Sequence, residues 1–248
     1  MSNNVSTNVL PGKELKLSFG SQEVTLWADM SVGIGGGEWP AACMFCHVLS
    51  HNTGFYKGLF DGKRVLELGS GTGLAGIMVE KIGARASEIV ITDLKQYTDH
   101  LERNVSMNDT TTCSVHALDW LDVEGFVKTY APESTQRGSI KEKQHIPTLP
   151  ANPTSSSTTC TFDVILALEC VYREDLYQPL IDTILHLSTK QTLIFLGLTR
   201  LFARPVFFDL LHAHGIYYTR LPEHSLPANL RRDVNTSDCG LLVLYFAR

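Results

Sequence analysis

The stretch Val65-Leu66-Glu67-Leu68-Gly69-Ser70-Gly71-Thr72-Gly73-Leu74-Ala75-Gly76 constrains the fold of this chain more than any other. An apolar run of strand length enters a glycine-rich turn and leaves as an apolar helix. Glycines let a backbone approach a ligand closely, and a helix start offers N–H groups with no partner in the helix. Asp93 ends the next apolar run, about 20 residues further on, where an acid in a doubly wound sheet accepts hydrogen bonds from a ribose hydroxyl. Strand, glycine turn, helix, strand and acid in this order predict a parallel βαβ unit that holds a nucleoside.

Two ligands compete for such a turn. Gly71 to Gly76 also satisfies G-x-G-x-x-G, a weak dinucleotide fingerprint when it stands alone. Glu67 bears on the choice. A carboxylate just before the loop repels a pyrophosphate and attracts a ligand carrying an ammonium and a sulfonium. S-adenosyl-L-methionine has both cations and a ribose for Asp93, and it is the expected cofactor. An NAD-dependent oxidoreductase is the alternative; Glu67 and the absence of a Tyr-x-x-x-Lys pair stand against it. A non-catalytic scaffold with the same turn stays open.

The rest of the chain repeats the alternation. Strands are predicted at Arg64–Leu68, Glu88–Thr92, Ser114–Leu118, Phe162–Leu168 and Thr192–Leu198, with helices over Leu74–Ile82, Gln96–Met107, Leu176–Leu187 and Pro205–His214. Ile216–Arg220 and Leu241–Phe246 are expected to close the sheet as edge or antiparallel strands. This implies an α/β, Rossmann-like, seven-stranded, mostly parallel sheet with helices on both faces and right-handed crossovers. Ahead of it, Leu15–Phe19 and Val24–Trp27 flank Gly20-Ser21 as a short hairpin. After the glycine run 33–37, Pro40 suits the first turn of a helix over Ala41–Ser50. Residues 1–60 therefore read as an N-terminal extension packed on a methyltransferase-like core of 61–248. Residues 131–160, rich in Ser, Thr, Pro and Lys, read as a flexible insertion.

Composition removes several classes. At 248 residues with net charge −5, the chain lacks the basic face of a nucleic-acid binder, while a mild acidic balance favours a basic protein partner. No run approaches the roughly 20 apolar residues of a membrane span. The start of the chain lacks a signal-peptide pattern. The six cysteines show no disulfide spacing, which points to reduced thiols, a cytoplasmic and also nuclear location, and no metal site. Cys43-Met44-Phe45-Cys46-His47 matches C-x-x-C-H, but inside an apolar helix it reads as small core thiols.

The order of motifs resembles the seven-strand protein lysine methyltransferases of methyltransferase family 16. The segments that carry the resemblance are Glu38-Trp39-Pro40-Ala41-Ala42, Val65–Gly76, Thr92-Asp93-Leu94 with Asn104 and Asn108, Ala117-Leu118-Asp119-Trp120, and Phe162–Tyr172 with Glu169-Cys170-Val171-Tyr172 at its end. Glu169 stands where many members have Asp, and the insertion before the fourth core strand is unusually long. The resemblance implies that Trp39 covers the cofactor. Glu67, Gly69, Ser70 and Gly71 line its methionine portion, Asp93 holds the ribose, Asp119 and Trp120 flank the adenine, and Leu168 lies near the reacting end. Trp39, Trp120 and Tyr172 each have a plain alternative as packing aromatics.

Glu169 sits at the carboxyl end of a buried strand, where open α/β sheets bind ligands. It is expected to capture and orient an incoming amine, with Tyr172 shaping the amine channel. On that reading Glu169→Ala abolishes transfer and spares cofactor affinity. The implied activity is protein-lysine N-methylation; arginine, histidine or a small molecule are the alternative acceptors. The implied partner is a protein substrate, a translation factor or chaperone, with the enzyme a monomer.

Overall fold

The computed structural model describes residues 12–130, 160–199, 203–222, 225, 227–228 and 239–247. The N-terminal tail and almost all of the 131–160 insertion lie outside the described residues.

The chain opens with an antiparallel hairpin, β1 (Lys13–Phe19) and β2 (Gln22–Ala28), in a register running from Lys13 opposite Ala28 to Phe19 opposite Gln22. Two short 3-10 turns over residues 30–36 lead to α1 (Pro40–His51) and α2 (Thr53–Phe60). The core follows as β3 (Arg64–Leu68), α3 (Leu74–Lys81), β4 (Glu88–Asp93), α4 (Thr98–Ser106), β5 (Cys113–Ala117) and α5 (Val123–Tyr130). Beyond the insertion come β6 (Val164–Leu168), α6 (Tyr177–Leu187), β7 (Leu193–Thr199), α7 (Pro205–Ala213), β8 (Ile216–Arg220) and β9 (Cys239–Phe246).

The seven-stranded sheet has the order β5-β4-β3-β6-β7-β9-β8, and only β9 runs against the others. The fold is the expected α/β arrangement, mostly parallel, with the hairpin as a separate two-stranded sheet.

Strand alternation divides the core cleanly, because successive side chains point to opposite faces. Val65, Ile89, Ile91, Leu166 and Phe195 join α1, α2, α3, Leu101 of α4 and the hairpin residues Phe19, Val24 and Leu26 on one face. Leu66, Leu68, Val90, Ile165, Ala167 and Leu196 meet α5, α6 and α7 on the other. Parallel strands buried on both faces are continuously apolar, as VILAL of β6 is.

Two helices were not predicted. α2 carries Gly54 and Gly58, poor helix formers, and is held by Tyr56 and Phe60 one turn apart, both buried. α5 is held by Phe126 and Tyr130, whose rings stack at 5.0 Å. The C-x-x-C-H segment lies in α1, with Cys46 buried and Cys43 half-buried; burial pushes the Cys43 thiol up to about 12. Among the described residues no helix is long and apolar enough to cross a membrane.

Strand order reverses between β3 and β6: the chain moves outward through β4 and β5, then returns to the other side of β3. Open α/β sheets leave a crevice at such a point, outside the carboxyl ends of the strands.

Candidate active site

A cavity of about 560 Å³ occupies that crevice, within the range of small-molecule sites. Gly69 and Gly71 follow β3, Asp93 ends β4, Asp119 and Trp120 follow β5, Leu168 ends β6 and Glu169 follows it; all seven residues line the cavity. Trp39 and Tyr172 also line it. The structure thus brings together nine of the eleven residues singled out in the sequence.

The glycine turn shapes the floor. Gly69 and Gly71 both take φ of +56°, the left-handed region that favours glycine. A Cβ on Gly69 would fall 3.0 Å from Cζ2 of Trp120 and 3.1 Å from the Cys170 sulfur. The bare backbone there lets the indole close down over the turn. The Gly71 N–H donates to Asp93 Oδ2 at 2.8 Å, and the Leu94 N–H donates to Oδ1 at 2.7 Å. Burial raises the Asp93 carboxyl above its ordinary value, and these two amides oppose the rise.

Two residues do not take their expected place. Glu67 is 2 % exposed and does not line the cavity; Oε2 accepts the Gly76 N–H of α3 at 2.9 Å. Gly73 caps α3 without a side chain, so Glu67 supplies the acceptor that the helix start needs. Burial lifts its carboxyl to about 8. The reason is parity: Leu66 and Leu68 face α6, so Glu67 faces α3. Ser70 also lies behind the turn, where its hydroxyl donates to Glu67 O at 3.1 Å and accepts the Thr92 N–H at 3.1 Å.

Around the rim, Pro40 restricts its predecessor to extended backbone, and Trp39 takes φ −123° and ψ 142°. Its indole Nε1–H donates to Ile34 O at 3.2 Å, tying the tryptophan to the glycine run 33–37. Asp119 is exposed and accepts the Leu121 N–H at 2.9 Å in a side-chain-closed turn. Tyr172 is half-buried, and burial pushes its phenol pKa up, so it stays protonated at neutral pH. Cys170 is buried, donates to Leu68 O at 3.1 Å, and has its thiol driven well above its ordinary value by burial, which makes it inert as a nucleophile.

The charge balance of the lining is one-sided. Among the described residues its acids are Asp93, Asp119, Glu169 and Asp175, and its one base, Arg173, is paired with Asp175 (Nε to Oδ1, 3.1 Å). Asp93, Asp119 and Glu169 border the cavity, the Glu169 carboxylate being bonded to Ala41 and Thr199, and the described lining holds no unpaired cation. Such a pocket disfavours phosphates and favours a cationic occupant.

A lysine methyltransferase family model matches residues 18–130 and 150–214. The chain belongs to that family. EEF1A lysine methyltransferase 3 of Xenopus tropicalis is 30% identical over 177 residues, a stretch covering 70% of this chain and 62% of that relative. Protein N-lysine methyltransferase METTL21A of Xenopus tropicalis is 27% identical over 211 residues, 81% of this chain and 80% of that one. The chain thus spans somewhat under two thirds of the first relative's length. A T. thermophilus 16S rRNA methyltransferase solved in complex with AdoMet and guanosine superposes with a TM-score of 0.57 at 14% identity, covering 96% of this chain and 51% of that one. At that identity the likeness concerns the fold.

In this family member the cavity has lining that sequence reasoning missed. Ile34 and Gly35 come from the glycine run, Leu94 and Tyr97 follow Asp93, and Leu121 and Leu176 close the outer rim. The glycine run was visible in the sequence as a break in patterning. Its packing on Tyr97, whose ring atoms lie 3.0 to 3.2 Å from where a Gly35 Cβ would be, was not.

Proposed function

We propose that this chain transfers a methyl group from S-adenosyl-L-methionine to a lysine side chain of a protein. The observation that carries the reading is the nucleoside-sized cavity at the sheet's reversal point, bordered by three carboxylates and, among the described residues, by no unpaired cation. S-adenosyl-L-methionine supplies an electrophilic methyl on a cationic sulfonium, and its charge and ribose suit this lining. Asp93 accepts from the ribose, the Gly69–Gly71 turn backs the methionine portion, Trp39 covers it, and Asp119 and Trp120 flank the adenine. Glu67 and Ser70 support the turn from behind.

A lysine amine near pKa 10.4 must lose its proton, which costs about 4.6 kcal/mol at pH 7. An acidic mouth attracts the ammonium; desolvation beside a sulfonium then lowers its pKa. Tyr172 and Leu168 are among the lining residues that would align the amine, and alignment supplies most of the acceleration. A translation factor or chaperone is the proposed acceptor class. A monomer in the cytoplasm and nucleus belongs to the same proposal, supported by six free thiols.

Thermal unfolding with added ligand tests the cofactor. S-adenosylhomocysteine at 100 times its Kd is expected to raise the midpoint by roughly 5–10 °C, with NAD without effect. A shift with NAD in its place overturns the reading. Incubation with isotope-labelled cofactor and cell extract, followed by mass spectrometry, is expected to find label on lysine; label confined to arginine, histidine or small molecules overturns the acceptor class.

A further inference from the structure

We propose that Glu169 is a positioning residue that fixes the Trp39 wall of the cavity through the start of α1, instead of the residue that captures the acceptor amine. The inference rests on the cavity being the S-adenosyl-L-methionine site.

Glu169 directly follows β6 and takes φ of +61°, a left-handed conformation that strains a residue with a Cβ. Its own N–H donates to Gly197 O at 2.8 Å, which continues the β6–β7 pairing. The side chain turns back toward β7 and α1. Oε1 accepts the Ala41 N–H at 3.0 Å and the Thr199 hydroxyl at 2.7 Å, while Oε2 accepts the Thr199 N–H at 3.2 Å. A carboxylate offers about four acceptor positions. Three of them are committed to the scaffold.

The Ala41 amide needs this partner. It is one of the first amides of α1, which have no acceptor within the helix. Trp39, at the cap position, has no side-chain oxygen to offer, and Pro40 has no N–H. A carboxylate from β6 fills that gap and suits the positive end of the helix. The packing requires the same closeness. A Cβ on Gly197 would lie 3.0 Å from Ala41 Cβ and 2.7 Å from Leu168 Cδ2, so the start of α1 rests directly on β7. Two residues before Ala41, Trp39 faces the cavity and bonds Ile34 O. A continuous linkage therefore runs from Glu169 to Ala41, Trp39 and the glycine run that walls the site. The left-handed backbone at Glu169 is what aims its carboxylate along this line.

The two roles separate in a binding experiment that needs no acceptor. S-adenosylhomocysteine is titrated by calorimetry, well below the unfolding temperature, into wild type, Glu169→Ala, Trp39→Ala and the double variant. Positioning predicts that Glu169→Ala weakens binding about tenfold, the size of one charge-assisted hydrogen bond. It also predicts that the double variant binds no worse than Trp39→Ala alone, because Glu169 acts through the tryptophan. Glu169→Gln keeps an oxygen for Ala41 but turns an NH₂ toward the Thr199 N–H, and is expected to lie between. Unchanged affinity in Glu169→Ala, the outcome expected of an amine-capturing group, overturns the inference; so do additive losses in the double variant. If Glu169→Ala does not fold, Thr199→Val carries the test with an expected loss of about threefold to tenfold for one hydrogen bond to a carboxylate, and unchanged affinity there overturns it equally. Wild type without affinity for the probe overturns the cofactor reading, a separate failure.

Discussion

A carboxylate beside a glycine turn has two destinations, and strand parity chooses between them. Residues of β3 alternate between faces, which sends Glu67 under the first turn of α3 and leaves the cavity to Asp93 and to backbone. Glu67 is then a titration probe of the fold. Burial raises its carboxyl from an ordinary 4.5 to about 8, against the pull of the Gly76 and Ala75 amides. A folded-state pKa above the unfolded one means that the contribution to stability is complete below about pH 4.5 and is lost as pH rises through 8. Glu67→Gln cannot ionise and does not follow that loss. In urea unfolding, the stability of wild type relative to Glu67→Gln is expected to fall across this window with a slope of at most about 1.4 kcal/mol per pH unit. A difference independent of pH would show the carboxylate to be stabilised in place by the helix start.

At the scale of elements, α4 and the turn that follows it fasten the hairpin to the glycine turn through two asparagines four residues apart, Asn104 in the helix and Asn108 just beyond it. Asn104 Oδ1 accepts the Trp27 N–H at 2.7 Å, and its Nδ2 donates to Thr72 O at 3.0 Å. Asn108 exchanges bonds with Thr25, accepting its N–H at 2.9 Å and donating to its carbonyl at 2.7 Å. The edge of β2 is thus paired by side chains where no strand is available, and Asn104 links that edge to the glycine turn. Asn104→Ala leaves buried backbone groups at Trp27 and Thr72 without partners and is expected to cost about 2–4 kcal/mol. Hydrogen exchange at the Trp27 amide is expected to accelerate with it; protection equal to wild type would locate the stability of the hairpin elsewhere. Both asparagines are singled out in the sequence only by a family resemblance. Their hairpin partners lie about 80 residues away, and no local pattern announces such a pairing. Strands β3, β4 and β6 were legible for the opposite reason. A doubly buried parallel strand is apolar over most of its length, as VILAL of β6 is throughout, and the turns after these strands carry glycine or acid. α2 and α5 were illegible because burial of an aromatic pair, not propensity, makes them helical.

At the scale of the molecule, legibility followed the same division. The sheet, its reversal point and most of the lining could be placed from the alternation of strands and helices, since right-handed crossovers leave few arrangements. What local patterning does not encode is how the N-terminal segment meets the core. Phe19, Val24 and Leu26 are buried in one hydrophobic cluster with α1, α3 and β3, and the Arg103 guanidinium lies 3.8 Å from the Trp27 ring centroid. A hairpin of two strands is marginal alone, so this packing and the asparagine links must hold it. Hairpin and sheet should then unfold together. Leu26 is fully buried, and Leu26→Ala is expected to cost about 2–5 kcal/mol. If the coupling is as tight as the shared cluster implies, tryptophan fluorescence and far-ultraviolet circular dichroism shift to one common lower midpoint in urea, because the hairpin cannot loosen without uncovering α3 behind the glycine turn. An early fluorescence transition with the helical signal intact would instead make the hairpin an appendage, and Trp27 would report on it alone.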